Sequence, residues 1–126
     1  MMNIFFIALG GALGAVCRYG LNALITQKAI TSFPVGILSV NILGSLMIGI
    51  FFALFTHLWD GTHSVKAFLI IGFLGSFTTF SAFSLDAVEL LQQGSYGMAS
   101  AYIFGTTFLA ISATFAGLVI TNNILS

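Results

Sequence analysis

Asn41, Phe80, Phe83, Tyr102, Thr106 and Thr114 are the residues of this chain whose types and spacing could do chemistry, and all lie in strongly apolar surroundings. The chemistry they suggest is hydrogen-bond donation to an anion. The Asn41 carboxamide carries two N–H donors, with Ser39 and Ser45 close by in sequence. An amide in lipid must find partners, and interhelical glue and ion ligand are equal readings of it. Tyr102, Thr106 and Thr114 follow spacings of four and eight, which puts three hydroxyls along one helical stripe. They either satisfy their own backbone or form a donor track along a narrow pore. Thr107 and Ser112 are expected off that stripe. Phe80 and Phe83 are three apart and share a face. Such rings are ordinary filler in a membrane helix, yet their positive edges can coordinate an anion without a full charge. Moving a bare ion into a low-dielectric interior costs on the order of tens of kcal/mol, so a pore needs many weak donors to replace water. Binding must also stay weak enough for the ion to leave.

Other polar residues carry less. Arg18 falls within the later part of the first hydrophobic segment. It is either a side chain snorkelling from a helix end or a permanent positive charge at a vestibule. Asp86 and Glu89 look like a helix-end pair. His57 and His63 flank a loop with Asp60, a weak basis for a metal site. Cys17 is the single cysteine, which excludes an intrachain disulfide. No nucleophile–base set, phosphate loop or dinucleotide fingerprint is present, so an enzyme is a poor fit.

The elements that must position these residues are membrane spans. The chain has 126 residues, of which 59% are hydrophobic and 5% charged, with a mean hydropathy of +1.13. A soluble domain carries about 25% charged residues, so this composition belongs to a membrane protein. Three Lys/Arg residues cannot make a basic patch for nucleic acid. A hydrocarbon core of about 30 Å needs roughly 20 apolar residues per helix. On that ruler four spans follow: Asn3–Gln27, Pro34–Thr56, Lys66–Gln92 and Tyr96–Asn122. The expected architecture is all-α, a single four-helix domain over residues 1–126, with Asn3 onward a retained span rather than a signal peptide. Gly10/Gly14, Gly11/Ala15, Ala101/Gly105 and Ala113/Gly117 are small-xxx-small pairs suited to close helix packing.

Charge bias barely specifies orientation. Lys28 lies on one side and Lys66 on the other, so the Lys/Arg imbalance that sets topology is nearly nil. Insertion in both orientations, giving an antiparallel homodimer, is the favoured expectation.

The third span contains GFLGSFTTFSAFS, Gly72–Ser84. Two glycines and five Ser/Thr residues loosen a helix and compete for its backbone bonds. A break is expected at Gly75–Thr78, covered by protein or lining a cavity.

These residues resemble one family. GFLGSFTTFSAFS, GGALGAVCRY around Arg18 and VNILGS around Asn41 are similar to the CrcB/Fluc fluoride channels over essentially the whole chain. The resemblance implies four helices per subunit, an antiparallel dual-topology homodimer with two pores, and passive fluoride efflux that protects a bacterium from the ion at its inner membrane. It implies pore roles for Asn41, Phe80, Ser81, Phe83, Tyr102, Thr106 and Thr114, and a vestibule role for Arg18. It also implies a structural sodium ion on the dimer axis, held through backbone carbonyls at Gly75 and Thr78. Carbonyls freed at the end of a half-helix suit a cation. Ala82 and Ala110 stand where some members carry a hydroxyl, so the donor track is expected to be thinner here. A small dual-topology multidrug or cation exporter is the alternative. It calls for an acidic residue in the first span, and Asn3–Gln27 has none.

Overall fold

The computed structural model describes residues 2–57 and 63–126, and Asp60 lies outside them. The regular elements among the described residues are all helices, with no strand. Helix α1 spans Met2–Lys28 and α2 spans Val35–His57. Helix α3 covers 63–77 in three stretches: His63–Lys66, a π-helical Ala67–Leu74 and a final turn Gly75–Phe77. Helix α4 is Phe80–Gln92 and α5 is Tyr96–Leu125. Four stretches are long and apolar enough to cross a membrane: Asn3–Lys28, Val35–His57, His63–Gln92 and Tyr96–Leu125. The expected spans are recovered with shifts of a few residues at their ends. Pro34 precedes the second helix, and its carbonyl accepts the Leu38 N–H at 3.2 Å, a start that needs no N–H from proline.

Large apolar side chains point outward along the spans, among them Ile4, Leu13, Phe104, Phe108 and Phe115. Two helix seams are built instead from small residues and backbone. On one seam α1 lies against α3, running in the same direction. A Cβ at Gly10 would strike the Phe68 carbonyl, and one at Gly14 the Phe73 carbonyl. From the other side, a Cβ at Gly72 would come within 2.7 Å of the Ile7 carbonyl. On the second seam α2 runs alongside α5, where Gly49 meets the Thr114 carbonyl and Gly117 lies against Leu46 and Ile50. Backbones in contact maximise dispersion where lipid offers no hydrophobic drive between helices. The expected Ala101/Gly105 pair does not pack this way, because nothing lies within 4 Å of a Cβ at Gly105.

A compact core joins the ends of α2, α4 and α5. Ile37, Phe83, Ala87, Leu90, Ala99 and Tyr102 form it. The α4–α5 turn fixes that arrangement: Gly94 takes φ 77°, a conformation glycine adopts freely. Ser95 N–H then returns to the Leu90 carbonyl at 2.9 Å and Gly94 N–H to Leu91 at 3.1 Å, closing the helix end in a Schellman-type pattern.

The interruption between α3 and α4 falls at Thr78–Thr79, three residues beyond the first glycine of the expected Gly75–Thr78 segment. Gly75 is helical, at φ −60° and ψ −32°, whereas Thr78 (φ −84°, ψ 155°) and Thr79 (φ −151°, ψ 120°) are extended. Gly72 therefore serves close packing rather than loosening. The preceding π-helical stretch accommodates an extra residue before the interruption, as such insertions do near functional sites.

Candidate functional site

Thr79 is the hinge of the site. Its Oγ1 accepts the Ala82 N–H at 3.1 Å, so it caps α4 as a threonine at an N-cap should. Its Oγ1 also meets Ser81 Oγ at 3.2 Å. From α2, 38 positions away, Asn41 closes on the same residue: Asn41 Nδ2 donates to the Thr79 carbonyl at 3.0 Å. The Thr79 N–H donates to Asn41 Oδ1 at 2.8 Å. Thr78 is tied to its own helix, its hydroxyl and its N–H both reaching the Leu74 carbonyl, at 2.9 and 3.1 Å.

These contacts border a cavity of about 410 Å³ whose wall includes Asn41, Ser45, Thr79, Phe80, Phe83 and Thr106. Gly75 and Thr78 reach its edge. Phe83 is 8% exposed and Phe80 78% exposed, with ring centroids 5.4 Å apart. The two rings share the cavity wall, but Phe80 is left uncovered by this chain. The Thr106 hydroxyl is buried without a hydrogen-bond partner. A buried polar group in that condition costs free energy unless something in the cavity satisfies it.

The hydroxyl stripe divides on inspection. Thr106 lines the cavity, but Tyr102 and Thr114 do not. Tyr102 is fully buried and donates to Asp86 Oδ2 at 3.1 Å, with its ring 5.1 Å from that of Phe83. Thr114 donates to the Ser45 carbonyl at 2.9 Å and so fastens α5 to α2. Thr107, expected off the stripe, does line the cavity. Neighbouring residues on a wide, shallow face both reach it, and Thr107 donates to its own Ile103 carbonyl at 2.8 Å, leaving its lone pairs outward. Ser112 lines a separate groove with Phe115 and Val119. Ser81 is exposed beside the cap. Ala110 is in the cavity wall, so the track is thinner there.

Arg18 is half-buried, and its Nε is buried without a partner. Arg18, Asn22 and Thr26 fall on one stripe of α1. The Thr26 hydroxyl donates to Asn22 Oδ1 at 3.3 Å, and both side chains crowd Gly36 of α2. Sequence reasoning missed this polar stripe, although its four-residue spacing was visible. It also missed Thr79 as a cap, for which a threonine before a renewed apolar run was the signal. His57 contacts Asn122 at 2.9 Å rather than His63, and the described residues contain no cluster of three His, Cys, Asp or Glu side chains.

Four apolar spans, three of which line a cavity with an amide, hydroxyls and aromatic rings, define a multi-pass membrane protein with a polar site between its helices. Residues 5–118 match the family described as CrcB-like protein, Camphor Resistance (CrcB). The chain belongs to that family. It is 42% identical over 124 residues to a protein of Agrobacterium fabrum named fluoride-specific ion channel FluC, covering 98% of this chain and 99% of the relative. A protein of the same name from Ruegeria sp. is 42% identical over 127 residues, covering 100% of this chain and 99% of the relative. Another, from Paracoccus denitrificans, is 45% identical over 114 residues, or 90% of each chain.

Proposed function

We infer that this chain is a fluoride-specific ion channel of the bacterial inner membrane, through which fluoride leaves the cell passively and its toxicity falls. The name carried by relatives aligned over nearly the whole chain supports the reading. The observation that carries it is the buried, unpartnered Thr106 hydroxyl in a cavity walled by Asn41, Phe80 and Phe83. Hydroxyl, amide and ring edge are all neutral donors, and among the described residues the wall they share has no carboxylate to repel an anion. Fluoride would exchange its water for them one contact at a time, held weakly enough to move on.

On this reading Asn41, Phe80, Phe83 and Thr106 contact the anion directly, and Ser81, between the two phenylalanines in sequence, adds a hydroxyl. The Tyr102 and Thr114 protons are committed to Asp86 and the Ser45 carbonyl, so an ion passing these two residues must compete with those acceptors. Arg18 draws anions to the vestibule.

The working unit is an antiparallel dual-topology homodimer with the third span broken at mid-membrane. Three features support this. Phe80 is uncovered within one subunit, Lys28 and Lys66 give no orienting bias, and Thr78–Thr79 fall about midway along His63–Gln92. Gly75 and Thr78 fit a sodium ion shared between the subunits. Gly75 is exposed, and the N–H that would occupy its carbonyl in a helix, that of Thr79, is donated to Asn41 instead. When bound, the ion supplies positive charge that neutralises carbonyl dipoles and ties the two breaks together.

The test is fluoride efflux from liposomes holding the purified protein, with chloride as control. Electrode traces should show rapid fluoride release and none of chloride. Release no faster than from protein-free vesicles would overturn the assignment. Cysteine labelling of the Lys28 loop should find it on both membrane faces; labelling from one face alone would remove dual insertion.

A further inference from the structure

We propose that Asn41 is a positioning residue for the Thr78–Thr79 break, fixing the backbone that launches Phe80 and Phe83 and turning its own donor side to the cavity. The inference rests on the channel reading for what the cavity holds, but the pairing it uses stands without it.

The contact is reciprocal. One side chain gives a donor and an acceptor to the N–H and C=O of one residue, as a neighbouring strand would. This settles which way the carboxamide faces. A peptide N–H can only donate and a carbonyl can only accept, so Oδ1 must meet the Thr79 nitrogen and Nδ2 the Thr79 oxygen. One of the two Nδ2 hydrogens is used and one is left. Asn41 is 9% exposed and in the cavity wall, so the remaining N–H is the amide's donor for a guest. The oxygen, which would repel an anion, is engaged by the backbone.

The same pairing has two mechanical effects. Thr79 is held extended at the residue before α4, and its hydroxyl caps that helix through Ala82. Fixing Thr79 therefore fixes the first turn, which carries both phenylalanines. It also draws the Thr79 N–H away from the Gly75 carbonyl, its partner in an uninterrupted helix. Without the Asn41 oxygen, the Thr79 N–H is free to return to the Gly75 carbonyl, which would turn Thr79 helical and rotate Phe80 away from the cavity.

The test removes each side of the pairing. Exchanging the Thr79 amide for a backbone ester deletes its N–H and keeps every side chain. This change and Asn41→Ala are each expected to cut fluoride flux about tenfold or more. Combined, they should do no further damage than the deeper single change, because both break one pairing. Singles that multiply, or an ester with undiminished flux, would overturn the proposal while leaving the channel assignment intact.

A second readout needs no flux. Threonine labelled at carbonyl carbon and amide nitrogen marks only the Thr78–Thr79 and Thr106–Thr107 peptides. In bilayer samples Asn41→Ala should speed hydrogen exchange at Thr79 about tenfold with Thr107 unchanged. Asn41→Asp keeps the acceptor and removes the donors, so it should retain Thr79 protection yet lose flux. Thr79 protection unchanged in Asn41→Ala, or lost equally in Asn41→Asp, would overturn the proposal. A wild-type protein without fluoride flux but with this exchange pattern would sink the channel reading alone.

Discussion

The α1–α3 seam and the α2–α4–α5 cavity solve opposite problems with the same chain. On the seam, Gly10, Gly14 and Gly72 bring backbones into contact. At the cavity, one hydroxyl is left without a partner and two residues leave the helix. The seam is backbone against backbone, with the Ser76 hydroxyl beside Gly11. The cavity has an unspent donor and a wall, Phe80, that this chain leaves exposed. The close-packed seam thus serves as the frame against which the polar half can be arranged for an ion.

The largest effect should come from breaking the frame. Gly14→Val places two methyls and a Cβ where the Phe73 carbonyl lies. Backbone cannot move as a side chain tip can, and overpacking of this kind costs about 1–3 kcal/mol or more. Loss of folded protein, or a marked fall in resistance to denaturing detergent, is the expected result. An unaffected variant would show that the seam is looser than its contacts imply.

Breaking the polar half should leave the fold and remove the function. Phe80→Ile keeps an apolar side chain at an exposed position but removes the ring edge. Fluoride flux is expected to drop about a hundredfold or to background, because no neutral donor replaces the edge, with the elution volume in size-exclusion chromatography unchanged. Thr106→Val should act more mildly, lowering flux about tenfold, while stability stays level or rises because an unsatisfied buried hydroxyl is removed. A destabilised Thr106→Val protein would mean the hydroxyl has a structural partner after all.

The two halves were not equally legible in the sequence. Span number and approximate ends follow from hydropathy, since the bilayer sets helix length. The glycine pairs at Gly10/Gly14 and Ala113/Gly117 were also readable, because packing in lipid selects small residues at fixed spacing. The family resemblance pointed to Asn41, Phe80, Ser81, Phe83, Tyr102, Thr106 and Thr114, of which Asn41, Phe80, Phe83 and Thr106 share one cavity wall. What was not legible was the direction of individual hydrogen bonds. Spacing puts Tyr102, Thr106 and Thr114 on one stripe, but only tertiary neighbours decide that Tyr102 turns to Asp86 and Thr114 to Ser45. The break was misplaced for a related reason. Glycine marks both flexibility and close approach, and here Gly72 answers to Ile7 of α1, while Thr78 and Thr79 leave the helix because Asn41 and a cap offer their backbone better partners.

The smallest effect, and the one that most sharpens the contrast, belongs to Gly105. It has the same residue type and spacing as the seam glycines, yet a Cβ there meets nothing within 4 Å. In an isolated subunit Gly105→Ala should be neutral or stabilising by up to about 1 kcal/mol, since alanine is the better helix former. Unfolding in detergent and subunit exchange between differently labelled samples measure the two quantities separately. Unchanged exchange would mark Gly105 as a lipid-facing position that happens to fit a packing pattern. Faster exchange with unchanged subunit stability would mean that the glycine is a seam residue whose partner lies on the second copy. The space beside it would then be the third close-packed contact of this protein, built by the same rule as the two within the chain.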